Sequence, residues 1–111
     1  MQIKIKATKI ELTDAIKDYV QEKMDMMEKN LGSVVPVACD VEVGLTSDHH
    51  NKGEIFRCEV NLRLPGELLR VEREELDLYK AVDNVKNHMV MAIKKYKEKR
   101  FDKKKERVEV L

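Results

Sequence analysis

Hydrophobic and polar positions change period several times along this chain, and each change marks an element. Ile3, Ile5 and Ala7 alternate with Gln2, Lys4, Lys6 and Thr8, the period of a half-buried strand. Thr13 then stands where a helix would begin, with Leu12 before it and Asp14 in the first turn. Ile16, Val20, Met24, Met27 and Leu31 follow at helical spacing, and Gly32 closes that helix. The period returns to two at Val35, Val37, Cys39, Val41, Val43 and Leu45, expected on one face of a second strand, with Ala38, Asp40, Glu42 and Thr46 on the other. A polar loop from Ser47 to Gly53 leads to a third strand, with Phe56, Cys58, Val60, Leu62 and Leu64 inward and Arg57, Glu59, Asn61 and Arg63 outward. Pro65-Gly66 makes a tight turn into a fourth strand carrying Leu69 and Val71 inward. Last, Leu78, Val82, Val85, Met89, Ile93 and Tyr96 form one helical stripe behind Asp77 as N-cap, and residues beyond Phe101 are expected to fray.

The predicted order is strand, helix, three strands, helix. A right-handed crossover makes the first two strands parallel, and the last three read as an antiparallel meander with one apolar and one ionic face. The expected fold is a two-layer α+β domain, β-α-β-β-β-α, with a four-stranded mixed sheet and both helices on one face.

At 111 residues the chain suits one domain, and 42% hydrophobic residues suffice for a core. No apolar run approaches the roughly 18 residues of a membrane span, and the alternating start reads as strand rather than secretory signal. Cys39 and Cys58 are too few for a disulfide scaffold and are expected to be buried, reduced thiols in a cytoplasmic protein. Net charge is only +1, but residues 94 to 107 hold nine cations and three anions, so a basic arm follows a mildly acidic body. A lysine-rich helix end suited to the helix dipole would explain the arm, and so would a polyanion contact.

Catalytic chemistry finds little support. Asp48, His49 and His50 are the only clustered metal-type ligands, and adjacent side chains diverge in an extended loop. No glycine-rich loop follows a strand, and no metal, cofactor or small-molecule substrate is expected. The aromatics Tyr19, Phe56, Tyr79, Tyr96 and Phe101 avoid the outward sheet face, which disfavours base stacking on the sheet. Nucleic acid would have to be met by charged helices through phosphates and shape.

The run Leu76-Asp77-Leu78-Tyr79-Lys80-Ala81-Val82-Asp83, continuing into Ile93-Lys94-Lys95-Tyr96-Lys97, resembles the second-helix signature of the ribosome hibernation promoting factor family, which includes the inhibitor protein Y. Ile10 to Ile16, with Val20, Lys23 and Met27-Glu28-Lys29, is similar to its first helix. The resemblance implies a non-enzymatic factor that binds the small ribosomal subunit and its rRNA in the mRNA/tRNA channel and blocks translation by occupation. It implies a ribosome-binding domain over residues 1 to 100 and a basic tail or linker start over 101 to 111; longer relatives follow such a linker with a C-terminal dimerisation domain. Lys23, Lys95 and Lys99 match RNA-facing positions; Lys80, Lys94, Lys97 and Arg100 join them from charge and expected exposure, and His88 shares their helix. Tyr79 matches the signature tyrosine and is expected to pack between helix and sheet. Met26, His88 and Met91 stand where the family usually has basic residues, and Met26 and Met91 would form a partner-contact patch. Two other classes compete with this reading: a general double-stranded RNA-binding module, and a protein-interaction module using the Met-bearing helix surface.

Overall fold

The computed structural model describes residues 1–46 and 53–110, with side chains through Arg100. Its elements are β1 (Lys4–Thr8), α1 (Asp14–Glu28) with a 3-10 turn at Lys29–Leu31, β2 (Ala38–Leu45), β3 (Phe56–Leu64), β4 (Glu67–Glu75) and α2 (Leu78–Val110). This is the expected β-α-β-β-β-α order. The strands form one sheet in the order β1-β2-β3-β4. β1 pairs parallel to β2, Ile5 opposite Val41, and the other two pairs are antiparallel.

Local chemistry places the helix ends. The Thr13 hydroxyl accepts from the Ile16 amide at 3.2 Å, and Asp77 accepts from the Tyr79 amide at 2.8 Å. At the far end of α1, Gly32 takes φ +60°, a left-handed conformation that side chains resist. The apolar stripes of both helices meet the inner sheet face, where Val41, Val43, Cys58, Val60 and Leu62 are buried. All six residues of the α2 stripe are buried, and the Tyr96 hydroxyl donates to the Pro65 carbonyl at 2.6 Å, which satisfies the one polar atom in that row.

Three expectations need correction. Val35 and Val37 are 74% and 65% exposed rather than facing the core. β2 begins only at Ala38, because Pro36, between the two valines, has no amide to enter the ladder. Tyr79 does not pack between helix and sheet: it is 40% exposed and meets Tyr19 of α1 edge-on. Finally, the stretch from Phe101, expected to fray, is helical as far as Val110, so α2 is a rod of about 50 Å at 1.5 Å per residue. The side chains of Phe101, Val108 and Val110, the residue Leu111, and the Asp48-His49-His50 cluster lie outside the described residues.

The outer sheet face is ionic, as its alternation predicts. The register sets Glu42 opposite Glu59 and Glu59 opposite Glu72, three like charges in one row across β2, β3 and β4. Alone that row would repel itself. Arg57 resolves it by donating to Glu42, Glu59 and Glu72 at 2.5, 2.6 and 2.8 Å, and Arg70 adds a bond to Glu59 at 2.8 Å. The hydrogen bond to Glu72 is the main cause that holds Arg57 more firmly protonated than usual. Burial alone would raise the Glu59 carboxyl, but its bonds from Asn61 and Arg70 and the nearby arginine charges outweigh that, and its pKa is lowered.

Candidate nucleic-acid interface

Three of the eight positions expected to face RNA are already engaged within the chain. Lys23 of α1 lies 3.6 Å from Asp83 of α2 and 5.1 Å from the centre of the Tyr19 ring. Lys97 donates to the Asn30 carbonyl at 3.1 Å, which ties α2 to the end of α1. Arg100 donates to the Tyr96 hydroxyl and lies over that ring, 5.5 Å from its centre. The first two contacts cross from α2 to α1 and its 3-10 turn; the third lies within α2, beside the turn at Pro65.

The other five point outward. Lys80, His88, Lys94, Lys95 and Lys99 are exposed, and none has a side-chain hydrogen-bond or ion-pair partner among the described residues. Spacings of three, four and four put His88, Met91, Lys95 and Lys99 in one row of α2, and Lys80 and Lys94 lie beside it. Lys95 and Lys99 are like charges at i and i+4, which costs a helix a few tenths of a kcal/mol. The dipole of the helix does not offset this. Because α2 continues to Val110, these lysines are in the body of the helix rather than in its last turn, where such compensation is confined. Exposed lysines on one side of a long helix are an arrangement that an external polyanion would stabilise.

Met91, 58% exposed, interrupts the cationic row, and Met26, 40% exposed, is on α1. Both methionines expected in the partner patch are therefore exposed, one on each helix. Sequence reasoning missed Asp83 and Tyr19, whose side chains meet across the seam at 2.5 Å. The i, i+4 pairs Tyr19/Lys23 and Tyr79/Asp83 were visible, but nothing in the sequence showed that they face each other. Among the described residues no group of three or more His, Cys, Asp or Glu is placed to hold a metal, and no helix is long and apolar enough to cross a membrane.

The fold defines the class: a two-layer α+β domain whose long last helix carries exposed lysines with no side-chain partner among the described residues. Within that class the assignment is specific: the model of the Sigma 54 modulation protein / S30EA ribosomal protein family matches residues 3–100, and the chain belongs to that family. A ribosome hibernation promotion factor of Deinococcus radiodurans is 29% identical over 99 residues, covering 87% of this chain and 50% of that protein. The protein of the same name from Staphylococcus aureus strain COL is 29% identical over 97 residues, 87% of this chain and 48% of that one. The chain thus spans about half the length of the curated relatives it matches. The crystal structure of the Thermus thermophilus protein Y N-terminal domain superposes with a TM-score of 0.73 at 31% identity, covering 86% of this chain and 99% of that one. A ribosomal subunit interface protein from Coxiella burnetii, at 20% identity and TM-score 0.68, covers 88% of this chain and 99% of its own and shares the fold.

Proposed function

We propose that this chain is a cytoplasmic, non-enzymatic ribosome hibernation factor that binds the small ribosomal subunit in the mRNA/tRNA channel and inhibits translation by occupying it. The observation that carries the reading is a set of four exposed lysines on α2, Lys80, Lys94, Lys95 and Lys99, with no side-chain partner among the described residues. Membership of the family supports it, as do the names of the hibernation promotion factors and the subunit interface protein. In this reading the buried stripes and the sheet make a stiff wedge, and the lysine row seats it against rRNA phosphates. Lys23, Lys97 and Arg100 serve the wedge itself. Steric exclusion of tRNA and mRNA needs no covalent step, only a rigid body of the right shape held with enough affinity.

The test is co-sedimentation with purified small subunits across a salt series, together with displacement of tRNA from vacant subunits. Binding that weakens steeply with salt and excludes tRNA supports the proposal. Salt-insensitive binding, or bound chain that leaves tRNA in place, overturns it. Equal competition by plain duplex RNA would instead mark a general double-stranded RNA-binding module.

A further inference from the structure

The seam between α1 and α2 carries a closed set of contacts that the lysine row does not need. Two side chains from each helix take part. Asp83 accepts a hydrogen bond from the Tyr19 hydroxyl at 2.5 Å and lies 3.6 Å from the Lys23 ammonium. That ammonium stands 5.1 Å from the centre of the Tyr19 ring. The same ring meets Tyr79 edge-on, with centroids 4.7 Å apart and planes at 88°. Asp83 and Tyr79 are one turn apart on α2, and Tyr19 and Lys23 one turn apart on α1, so each pair presents itself from one face.

Asp83 sits on the helix that carries the free lysines, and its side chain is 40% exposed, so its negative charge is felt by any approaching phosphate. What the carboxylate does is hold both α1 partners at once, one through a hydroxyl and one through an ammonium. The second tie, Lys97 to the Asn30 carbonyl, lies further along the same seam, so the helices are pinned at two separated points.

We infer that Asp83 is a positioning residue: it clamps α1 to α2 and so sets the spacing of the two helices that rRNA meets, with Lys23 as part of the clamp rather than a phosphate contact. The inference rests on the ribosome-binding reading. It turns a cation expected on the RNA-facing surface into a structural one, and it gives an acid on a cationic helix a reason to be there.

Salt dependence separates the two roles, because a phosphate contact contributes to the log-log slope and a clamp does not. Small-subunit binding is measured across a salt series for the whole chain and for Tyr19→Phe, Asp83→Asn, Lys23→Gln and Lys23→Arg, at a temperature where circular dichroism shows every variant folded. Tyr19→Phe removes one hydroxyl and no charge. It, Asp83→Asn and Lys23→Gln are each expected to lower affinity about three- to tenfold with unchanged slope, and Lys23→Arg to restore it. Asp83→Asn binding as tightly as the unaltered chain, or more tightly, overturns the clamp. So does a Lys23→Gln slope that is shallower by about one. Failure of the unaltered chain to bind at all overturns the ribosome reading and the clamp with it, and that outcome is distinct from tight binding by a chain whose seam variants make no difference.

Discussion

Replacing Lys95 and Lys99 together by glutamine removes two charges from α2 and leaves polar, helix-compatible side chains. Both lysines are exposed, and neither has a side-chain partner among the described residues, so the folded chain loses no contact. Relief of their i, i+4 repulsion adds a few tenths of a kcal/mol to helix stability, so the melting temperature should hold or rise slightly. Binding should respond very differently. If Lys80, Lys94, Lys95 and Lys99 each meet one phosphate, the log-log salt slope is about −3.6, and the double variant retains about −1.8. Between about 50 and 200 mM salt the unaltered chain should then lose roughly 150-fold in affinity and the variant only roughly 12-fold. The assay is titration of labelled protein with purified small subunits at several salt concentrations, with thermal melts alongside. A double-variant slope equal to that of the unaltered chain would refute the assignment of these lysines. A slope near zero for the unaltered chain would refute the electrostatic argument as a whole.

Other expectations bear on the fold. Val85 is fully buried in the α2 stripe, so Val85→Asp should cost about 3–5 kcal/mol, enough to unfold most domains of this size, as read from urea denaturation. A Cβ at Gly44 would lie 2.2 Å from the Thr8 carbonyl oxygen, so Gly44→Ala must push β1 from β2 at about 1–3 kcal/mol; an unchanged urea midpoint would count against it. Burial pushes the thiols of Cys39 and Cys58 up to about 12, so alkylation near neutral pH should be slow in the native chain and fast after denaturation. The hydrogen bond to Asp83, with burial second, raises the Tyr19 hydroxyl to about 12 from the ordinary value of 10.0. Its contribution to stability is complete below the unfolded value and is lost as pH rises through the folded one, so the unaltered chain should lose more stability between those values than Tyr19→Phe does.

Much of the fold could be read from period alone, because burial on one side of a sheet or helix leaves a mark at every second or at every third and fourth residue. The α2 stripe from Leu78 to Tyr96, the caps at Thr13 and Asp77, and the ionic alternation of β3 are such marks. Val35 and Val37 show where that reasoning overreaches. They continue the alternation of β2, but alternation reports only which side a residue would take if the strand extended that far, and Pro36 stops it first. The lysines of α2 were legible as charge. Their meaning was not, since a terminal row and a mid-helix row have the same composition and differ only in where the helix ends.

The seam shows the same division. The chain's own pattern of residues determined its elements, their order, the parallel first pair of strands and the presence of a cationic last helix, because each depends on local spacing or on the handedness of a crossover. Tertiary packing decided which cations are spent internally: Lys23 on Asp83, Lys97 on the Asn30 carbonyl, Arg100 on Tyr96, with Lys80, Lys94, Lys95 and Lys99 left exposed and unpaired. Those partners lie from four to 67 positions apart in the chain. Most of them meet only because two helices dock side by side on one sheet, a relation that short-range periodicity does not encode.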